Sequence, residues 1–172
     1  MLYELVSGHP AAADLDLRPF GSAALNSLRI EQGFKLRADM DLAHYSEGSI
    51  DNFVAKKRPF VGRDDAYIPE KKAIQLAVAT DAQWAWSVPG DSPIVRKRDG
   101  AVVGYTTSSA VGAQTKSTIA MGYIALRHTG VYEPILDGEG LDEGQLEVHC
   151  FGHQWPAILL KTPPVRMSGR DD

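Results

Sequence analysis

The segment 94–105 constrains the fold of this chain more than any other stretch, because it has the pattern of a β-hairpin. Strand-forming residues fill positions 94–96 and 101–105 on either side of Asp99-Gly100, and Asp-Gly is a favoured dipeptide in tight hairpin turns. Further runs of strand-forming residues, separated by turn residues, lie at 73–79, 119–126, 146–151 and 157–161. Five or six short strands at this spacing predict a small antiparallel barrel or sandwich from about residue 71 onward.

The composition is that of an ordinary globular protein, with 172 residues of which 44% are hydrophobic and 23% charged. A net charge of −4 predicts no general attraction to nucleic acid or to an anionic membrane. No apolar run approaches the roughly 20 residues that span a bilayer, and the N-terminus lacks the pattern of a secretory signal. The single cysteine, Cys150, excludes an internal disulfide and fits a reducing compartment. We therefore expect a cytoplasmic protein.

Residues 24–34 are predicted to form a helix that ends at Gly33, and residues 34–40 are predicted to be extended. At about 100° per residue, Ala24, Leu28 and Glu31 lie on one stripe, which is expected to pack inward. Burying a carboxylate in that position costs free energy unless a hydrogen-bond donor or a cation pairs with it. Two kinds of donor suit Glu31: a cation such as Arg, or a flat ligand that offers two parallel N–H groups.

Arg58 is the candidate cation, because it ends the run Lys56-Lys57-Arg58 just before Pro59 and Phe60. Its planar guanidinium suits carboxylate or carbonyl oxygens, so we expect it to pair with Glu31 or with a ligand between the two. The second basic run, at 96–98, borders the hairpin turn and is predicted to be a solvated face.

Three kinds of reactive site are not supported by the sequence. His149 and His153 would lie about 13 Å apart along a strand, with no second cysteine to complete a metal site. Ser108 and Ser109 lack the Gly-x-Ser-x-Gly turn of a hydrolase. The glycines near residue 140 neither follow a strand nor open a helix, so no dinucleotide site is predicted. No metal site and no catalytic residue is assigned to this chain.

Several segments, taken in order, resemble the aminomethyltransferases, the T-protein of the glycine cleavage system. Residues 25–33, Leu-Asn-Ser-Leu-Arg-Ile-Glu-Gln-Gly, are similar to the helix that carries the family's folate-binding glutamate. The segment 47–63 is similar to the next characteristic block, and the segments 99–108 and 116–124 resemble the C-terminal barrel. The stretch 18–29 is closer to the folate-binding halves of dimethylglycine and sarcosine dehydrogenases.

The resemblance implies an α+β fold in two parts. Residues 1–68 would be the C-terminal, helix-containing fragment of a folate-binding domain, and residues 69–172 a small antiparallel β-barrel. Glu31 corresponds to the pterin-binding glutamate and Arg58 to a second ligand-contacting position. The implied cofactor of the complete protein is tetrahydrofolate, which would receive a one-carbon unit from an N-methyl or aminomethyl donor. FAD would belong only to an upstream domain.

The family's proteins are much longer, and the aspartate that assists methylene transfer lies upstream of every segment that matches. The resemblance therefore implies a C-terminal segment that holds one wall of a folate pocket and is inactive alone. Its partner would be an N-terminal half or a flavoprotein subunit. The alternative is a non-catalytic scaffold or interaction domain that keeps the fold and partners a separate catalytic subunit.

Overall fold

The computed structural model describes residues 2–15, 17–40, 43–50, 53–54, 60–61, 63, 67–81, 88–135 and 145–165. Its helices are α1 (Leu2–Ser7), α2 (Pro10–Asp14), α3 (Ser22–Glu31) and α4 (Arg37–Met40). Its strands are β1 (Lys71–Val78), β2 (Pro93–Arg96), β3 (Ala101–Val111), β4 (Thr118–Ala125), β5 (Leu146–Cys150) and β6 (His153–Leu159). In these ranges no helix has the length and apolar character needed to cross a membrane.

The six strands close into an antiparallel barrel in the order β1-β4-β3-β2-β5-β6. The hairpin predicted at 94–105 is confirmed as β2 and β3, with Asp99-Gly100 in the turn between them. β5 and β6 form a second hairpin that turns at Phe151-Gly152. Pairing of β1 with β6 closes the sheet, so the barrel is confirmed and the sandwich alternative is not. The predicted α+β class is likewise confirmed.

Strand β4 is buried along its whole length because it has covered faces on both sides. Successive side chains of a strand point to opposite faces. Ala120 and Ile124 belong to the core inside the barrel. Ile119 and Met121 belong to a second cluster, on the outer face, which is completed by Ile30 of α3. The helices within residues 2–40, here called the helical layer, are therefore joined through α3 to the outside of the β3–β4 wall.

Helix α3 is joined to β3 by polar side chains. β2 pairs with β3 only as far as Tyr105, so the rest of β3 extends beyond β2. Asn26 Nδ2 donates to the Ser109 carbonyl over 2.9 Å, and Ser27 Oγ donates to the Val111 carbonyl over 2.7 Å. These two bonds satisfy backbone acceptors on a strand that would otherwise lack partners.

This docking explains why the predicted inward stripe was only partly right. Glu31 is buried as predicted, but Ala24 is exposed and Leu28 keeps 42% of its surface exposed. The buried residues of α3 are Arg29, Ile30 and Glu31. The helix is rotated because Asn26 and Ser27, rather than the leucines, meet the barrel. The extended structure predicted for 34–40 was also wrong in part, because α4 occupies 37–40.

Candidate functional site

A buried ion pair joins α3 to α4. Arg29 Nη1 lies 2.5 Å from Asp39 Oδ2, and both side chains are more than nine-tenths buried. The guanidinium also donates to Asn26 Oδ1 over 2.8 Å and to the Phe34 carbonyl over 3.1 Å. The sequence did not reveal this pair, because its members lie ten positions apart on two helices joined by a turn that residue spacing does not predict.

A β-bulge directs two hydroxyl groups onto the same carboxylate. The β3–β4 register shifts between Thr106 and Ser108, which places Thr107 and Ser108 side by side on the outer face. Both hydroxyls donate to Asp39 Oδ1, that of Thr107 over 2.7 Å. Tyr123 Oη donates to the Asp39 backbone carbonyl over 2.7 Å. Asp39 is therefore a structural link between α4, α3 and the barrel wall.

One oxygen of the Glu31 carboxylate is satisfied by the chain itself. The side chain is 1% exposed, and Oε1 accepts the backbone N–H groups of Gln114 and Thr115, each over 2.9 Å. Thr115 Oγ1 donates to the same oxygen over 3.2 Å. The expected donor was either a cation such as Arg or a ligand with two parallel N–H groups; the turn between β3 and β4 supplies two backbone N–H groups instead. Oε2 is buried and has no hydrogen-bond partner among the described residues.

The surroundings of Glu31 leave little free space. A Cβ atom at Gly112 would overlap Oε1, which shows how closely the turn 112–115 wraps the carboxylate. Glu31 lines neither of the two cavities on the barrel wall, which have volumes of about 480 and 270 Å³. Arg58 lies outside the described residues. The ligand contacts implied for Glu31 and Arg58 therefore stay predictions.

A cavity of about 270 Å³, here called the tyrosine pocket, opens on the outer face of the barrel. The ring of Tyr105 stacks on Tyr123 at 5.8 Å and on Tyr132 at 5.6 Å between centroids, both at 29°. Tyr105 and Tyr123 face each other across β3 and β4. The rest of the lining is Glu47, Tyr67, Glu70, Lys71, Gly104, Ile124, Ala125 and Thr129.

One ammonium and one carboxylate are fixed at the walls of the tyrosine pocket. Lys71 Nζ donates to Tyr105 Oη over 3.1 Å and lies 4.8 Å from the centroid of the Tyr123 ring, a cation–π arrangement. Glu47 Oε1 accepts from Tyr67 Oη over 2.5 Å and from the Glu70 N–H over 3.1 Å. The sequence did not single out Glu47, since its burial depends on contacts with residues that are twenty or more positions away.

Two phenols of this pocket, those of Tyr67 and Tyr123, have a raised pKa. The hydrogen bond to Glu47, together with burial, raises the pKa of Tyr67 to about 12. Burial and the neighbouring Tyr105 raise the pKa of Tyr123 to about 12. Near neutral pH the pocket therefore combines flat apolar walls with hydroxyl donors, an ammonium donor and a carboxylate acceptor. This combination suits a flat ring with polar edges.

The buried carboxylates of Glu31, Asp39 and Glu47 make stability depend on pH. Burial alone would raise the pKa of each, but the N–H and O–H donors outweigh it, so all three are lowered below 4.5 for Glu and 3.8 for Asp. Because the folded-state pKa is the lower one, their stabilisation is complete above the unfolded-state values and is lost as pH falls through the folded-state values. We expect the free energy of unfolding to fall as the pH drops below about 4.5.

Urea unfolding between about pH 7 and about pH 3 measures this dependence. The Glu47→Gln variant, which lacks one of the three groups, is the control and should show a shallower acid limb. A free energy of unfolding that stays constant through this range in the wild-type protein would contradict the expectation.

Comparison with known proteins agrees with this architecture. Residues 71–165, which include all six strands, match the glycine cleavage T-protein C-terminal barrel domain. The chain is 27% identical over 173 residues to mitochondrial dimethylglycine dehydrogenase of Mus musculus and 26% identical over 156 residues to that of Homo sapiens. These alignments cover 95% and 85% of this chain, but only 18% and 16% of the two relatives.

Among solved structures, the fold is similar to the glycine cleavage system aminomethyltransferase T from Bartonella henselae. The TM-score is 0.62, and the match covers 90% of this chain and 41% of that one at 18% identity, which is a likeness of fold. The family match covers more than half of the chain and contains the whole barrel. The chain therefore belongs to the glycine cleavage T-protein C-terminal barrel domain family, as an aminomethyltransferase- and dimethylglycine dehydrogenase-like C-terminal domain.

Proposed function

We propose that this chain supplies one wall of a tetrahydrofolate site in an enzyme that transfers a one-carbon unit from an N-methyl or aminomethyl donor. Two of its relatives are dimethylglycine dehydrogenases, and a protein of similar fold is an aminomethyltransferase. The chain spans 18% of the length of the mouse relative. The complete reaction is therefore proposed for an assembly or a longer protein in which this domain takes part.

The tyrosine pocket is the observation that carries the proposal. Its volume of about 270 Å³ lies just below the range of roughly 300–1,000 Å³ that is typical of whole ligand sites, so it suits one ring system of a larger ligand. The stacked rings of Tyr105 and Tyr132 would hold the flat face of a folate ring. Lys71 would donate to it. Glu47 is 2% exposed and already accepts from Tyr67, Glu70 and His44, so it would position Tyr67 at the wall and not contact the ring. Bound tetrahydrofolate would supply the acceptor for the one-carbon unit.

Glu31 has a different place in this proposal. Its Oε1 already accepts the amides of Gln114 and Thr115, and its Oε2 is buried, so a ring could reach the carboxylate only if the residues around it moved. We propose that Glu31 shapes the β3–β4 turn and that the tyrosine pocket meets the ligand.

Calorimetric titration with 5-formyltetrahydrofolate tests this assignment. We expect Tyr105→Leu to weaken binding about tenfold, because the ring loses its stacking surface. We expect Glu31→Gln to bind as the wild type does, in a variant checked by circular dichroism to be folded. The matched control is Tyr3→Leu, which removes a tyrosine that is 64% exposed on α1. If Glu31→Gln lost affinity and Tyr105→Leu did not, Glu31 would be the ligand contact. Absence of binding by the wild type would contradict the proposed function.

A second candidate function, an interaction domain for a separate catalytic subunit, is favoured by the apolar surface of the helical layer. Large hydrophobic residues are exposed on and between its short helices, and extended exposed apolar surface marks protein interfaces. They include Leu5, Leu15, Leu17, Phe20, Leu25, Leu28, Phe34 and Leu36. Capture of a flavoprotein or N-terminal-half subunit by the wild type, but not by a Leu25→Asp variant, would support it. Monomeric behaviour with no such capture would contradict it.

A further inference from the structure

A second cavity, of about 480 Å³, opens along the edge of β1 where β6 leaves it. β6 pairs with β1 only over Leu76–Val78, whereas β4 pairs with β1 over its whole length. The first five residues of β1 therefore have no strand on that side. The cavity occupies this gap, between the segment that follows α3 and the segment that follows β6. Its lining is Gly33, Lys35, Ser49, Lys72, Ala73, Ile74, Gln75, Met121, Ile124, Leu159, Leu160, Lys161, Thr162 and Pro163.

The inner part of the cavity is apolar. Ile124 is a core residue of the barrel, and Ile74 and Leu159 pack against that core with part of their surface free. Met121 and Pro163 add further apolar surface. A ligand that reaches this floor therefore needs a hydrocarbon or aromatic body, because a polar group placed there would lose its hydration without a partner.

The charged residues of the cavity all have the same sign. Lys35, Lys72 and Lys161 line it, and no aspartate or glutamate among the described residues does, although the chain as a whole carries a net charge of −4. Burial lowers the pKa of Lys35, an effect that Asp39 partly opposes. Both carboxylate oxygens of Asp39 already accept hydrogen bonds, Oδ2 from Arg29 and Oδ1 from the Thr107 and Ser108 hydroxyls.

The lysines are available to a ligand as far as the described part of the chain shows. None of the described carboxylates lies within ion-pair distance of Lys35, Lys72 or Lys161. The other large polar side chain of the lining, Gln75, is engaged, since its Nε2 donates to the Ile30 carbonyl over 2.5 Å. Lysine side chains that line the same cavity as an apolar floor are complementary to an anion that carries an apolar body.

We propose that this lysine cavity binds a small amphipathic carboxylate, with its apolar body on the floor formed by Ile74, Ile124 and Leu159 and its carboxylate among the three lysines. The volume lies within the range of small-molecule sites. The apolar floor favours such a molecule over a bare inorganic anion.

The lysine cavity and the tyrosine pocket share Ile124 of their linings and differ in every other lining residue. Lys71 and Lys72 are consecutive in β1, so their side chains project to opposite faces of the strand. Lys71 bonds to Tyr105 in the tyrosine pocket, whereas Lys72 lines the lysine cavity. The proposal therefore does not rest on folate binding, and substitutions can test the two sites separately.

Titration with 4-phenylbutyrate, followed by calorimetry and by amide NMR shifts, tests the proposal. We expect binding that weakens with added salt, with the largest shifts at Ala73, Leu159 and Lys161. The double variant Lys72→Met/Lys161→Met keeps the apolar stems and removes two charges, and we expect its affinity to fall about fivefold or more. Lys97→Met, at an exposed lysine near Glu147, is the matched control and should bind as the wild type does.

Two further probes separate the contributions of charge and apolar surface. The uncharged 4-phenylbutyramide and inorganic phosphate should each bind more weakly than 4-phenylbutyrate. Equal binding of the amide, equal binding of phosphate, or unchanged affinity in the double variant would overturn the proposal. Tyr105→Leu should leave phenylbutyrate binding unchanged, so failure of the folate assignment and failure of this one give different results.

Discussion

Asp39→Ala is expected to lower the free energy of unfolding by about 3–5 kcal/mol, the cost typical of breaking a buried ion pair. The substitution leaves the Arg29 guanidinium buried without its carboxylate partner. It also leaves the Thr107 and Ser108 hydroxyls and the Leu36 N–H without their acceptor. Single domains are stable by only about 5–15 kcal/mol, so this loss is a large part of the total.

Urea unfolding followed by circular dichroism measures the effect. The matched control is Glu133→Gln, which removes a carboxylate that is half-exposed and lies 3.4 Å from His128 Nδ1. We expect the control to change the free energy of unfolding by less than about 1 kcal/mol. Equal effects of the two substitutions would show that the Arg29–Asp39 pair does not hold the helical layer to the barrel.

Gly104→Ala is expected to lower the free energy of unfolding by about 3 kcal/mol or more, because the added methyl group has no space. Its Cβ would overlap the Tyr123 carbonyl oxygen and lie 3.0 Å from the Ile124 Cα. Both are backbone atoms of β4, which cannot rotate away as a side chain would. The strands would have to separate at the point where Tyr105 and Tyr123 stack. The tyrosine pocket should therefore be distorted together with the barrel wall.

Thermal unfolding and the near-ultraviolet circular dichroism of the tyrosines follow these two effects. Gly21→Ala is the control, since no atom lies within 4 Å of a Cβ built there. Gly21 precedes α3, where alanine is a poorer N-cap than glycine, so a change of less than about 1 kcal/mol is expected. A Gly104→Ala protein as stable as the Gly21→Ala protein would contradict the close approach of β3 and β4.

The strands and hairpins of the barrel were predictable because their signals are local. Asp99-Gly100 specifies a hairpin through the conformations that these two residues accept, and alternating strand-forming residues specify the strands. The burial of Glu31 was predicted from a helical stripe shared with Ala24 and Leu28; Glu31 is buried, but the other two residues are exposed. The family resemblance drawn from these segments agrees with the match over 71–165.

The partners of the buried charges were not predictable, because each depends on a contact between distant segments. Glu31 meets Gln114 and Thr115 across more than eighty residues. The rotation of α3 followed from Asn26 and Ser27 bonding to β3, a contact that no helical periodicity contains. The bulge that brings Thr107 and Ser108 onto Asp39 is likewise a property of strand register.

By itself the sequence determined the strands and the hairpin turns, because these follow from backbone preference. It also determined that one buried carboxylate needs hydrogen-bond donors in the protein interior, because dehydrating a charge is costly. Only the tertiary structure decided which groups satisfy that carboxylate and where the cavities open. Closure of the barrel leaves part of β1 unpaired by β6 and places Tyr105 beside Tyr123. Both cavities arise from strand pairing between remote segments, which local preferences do not encode.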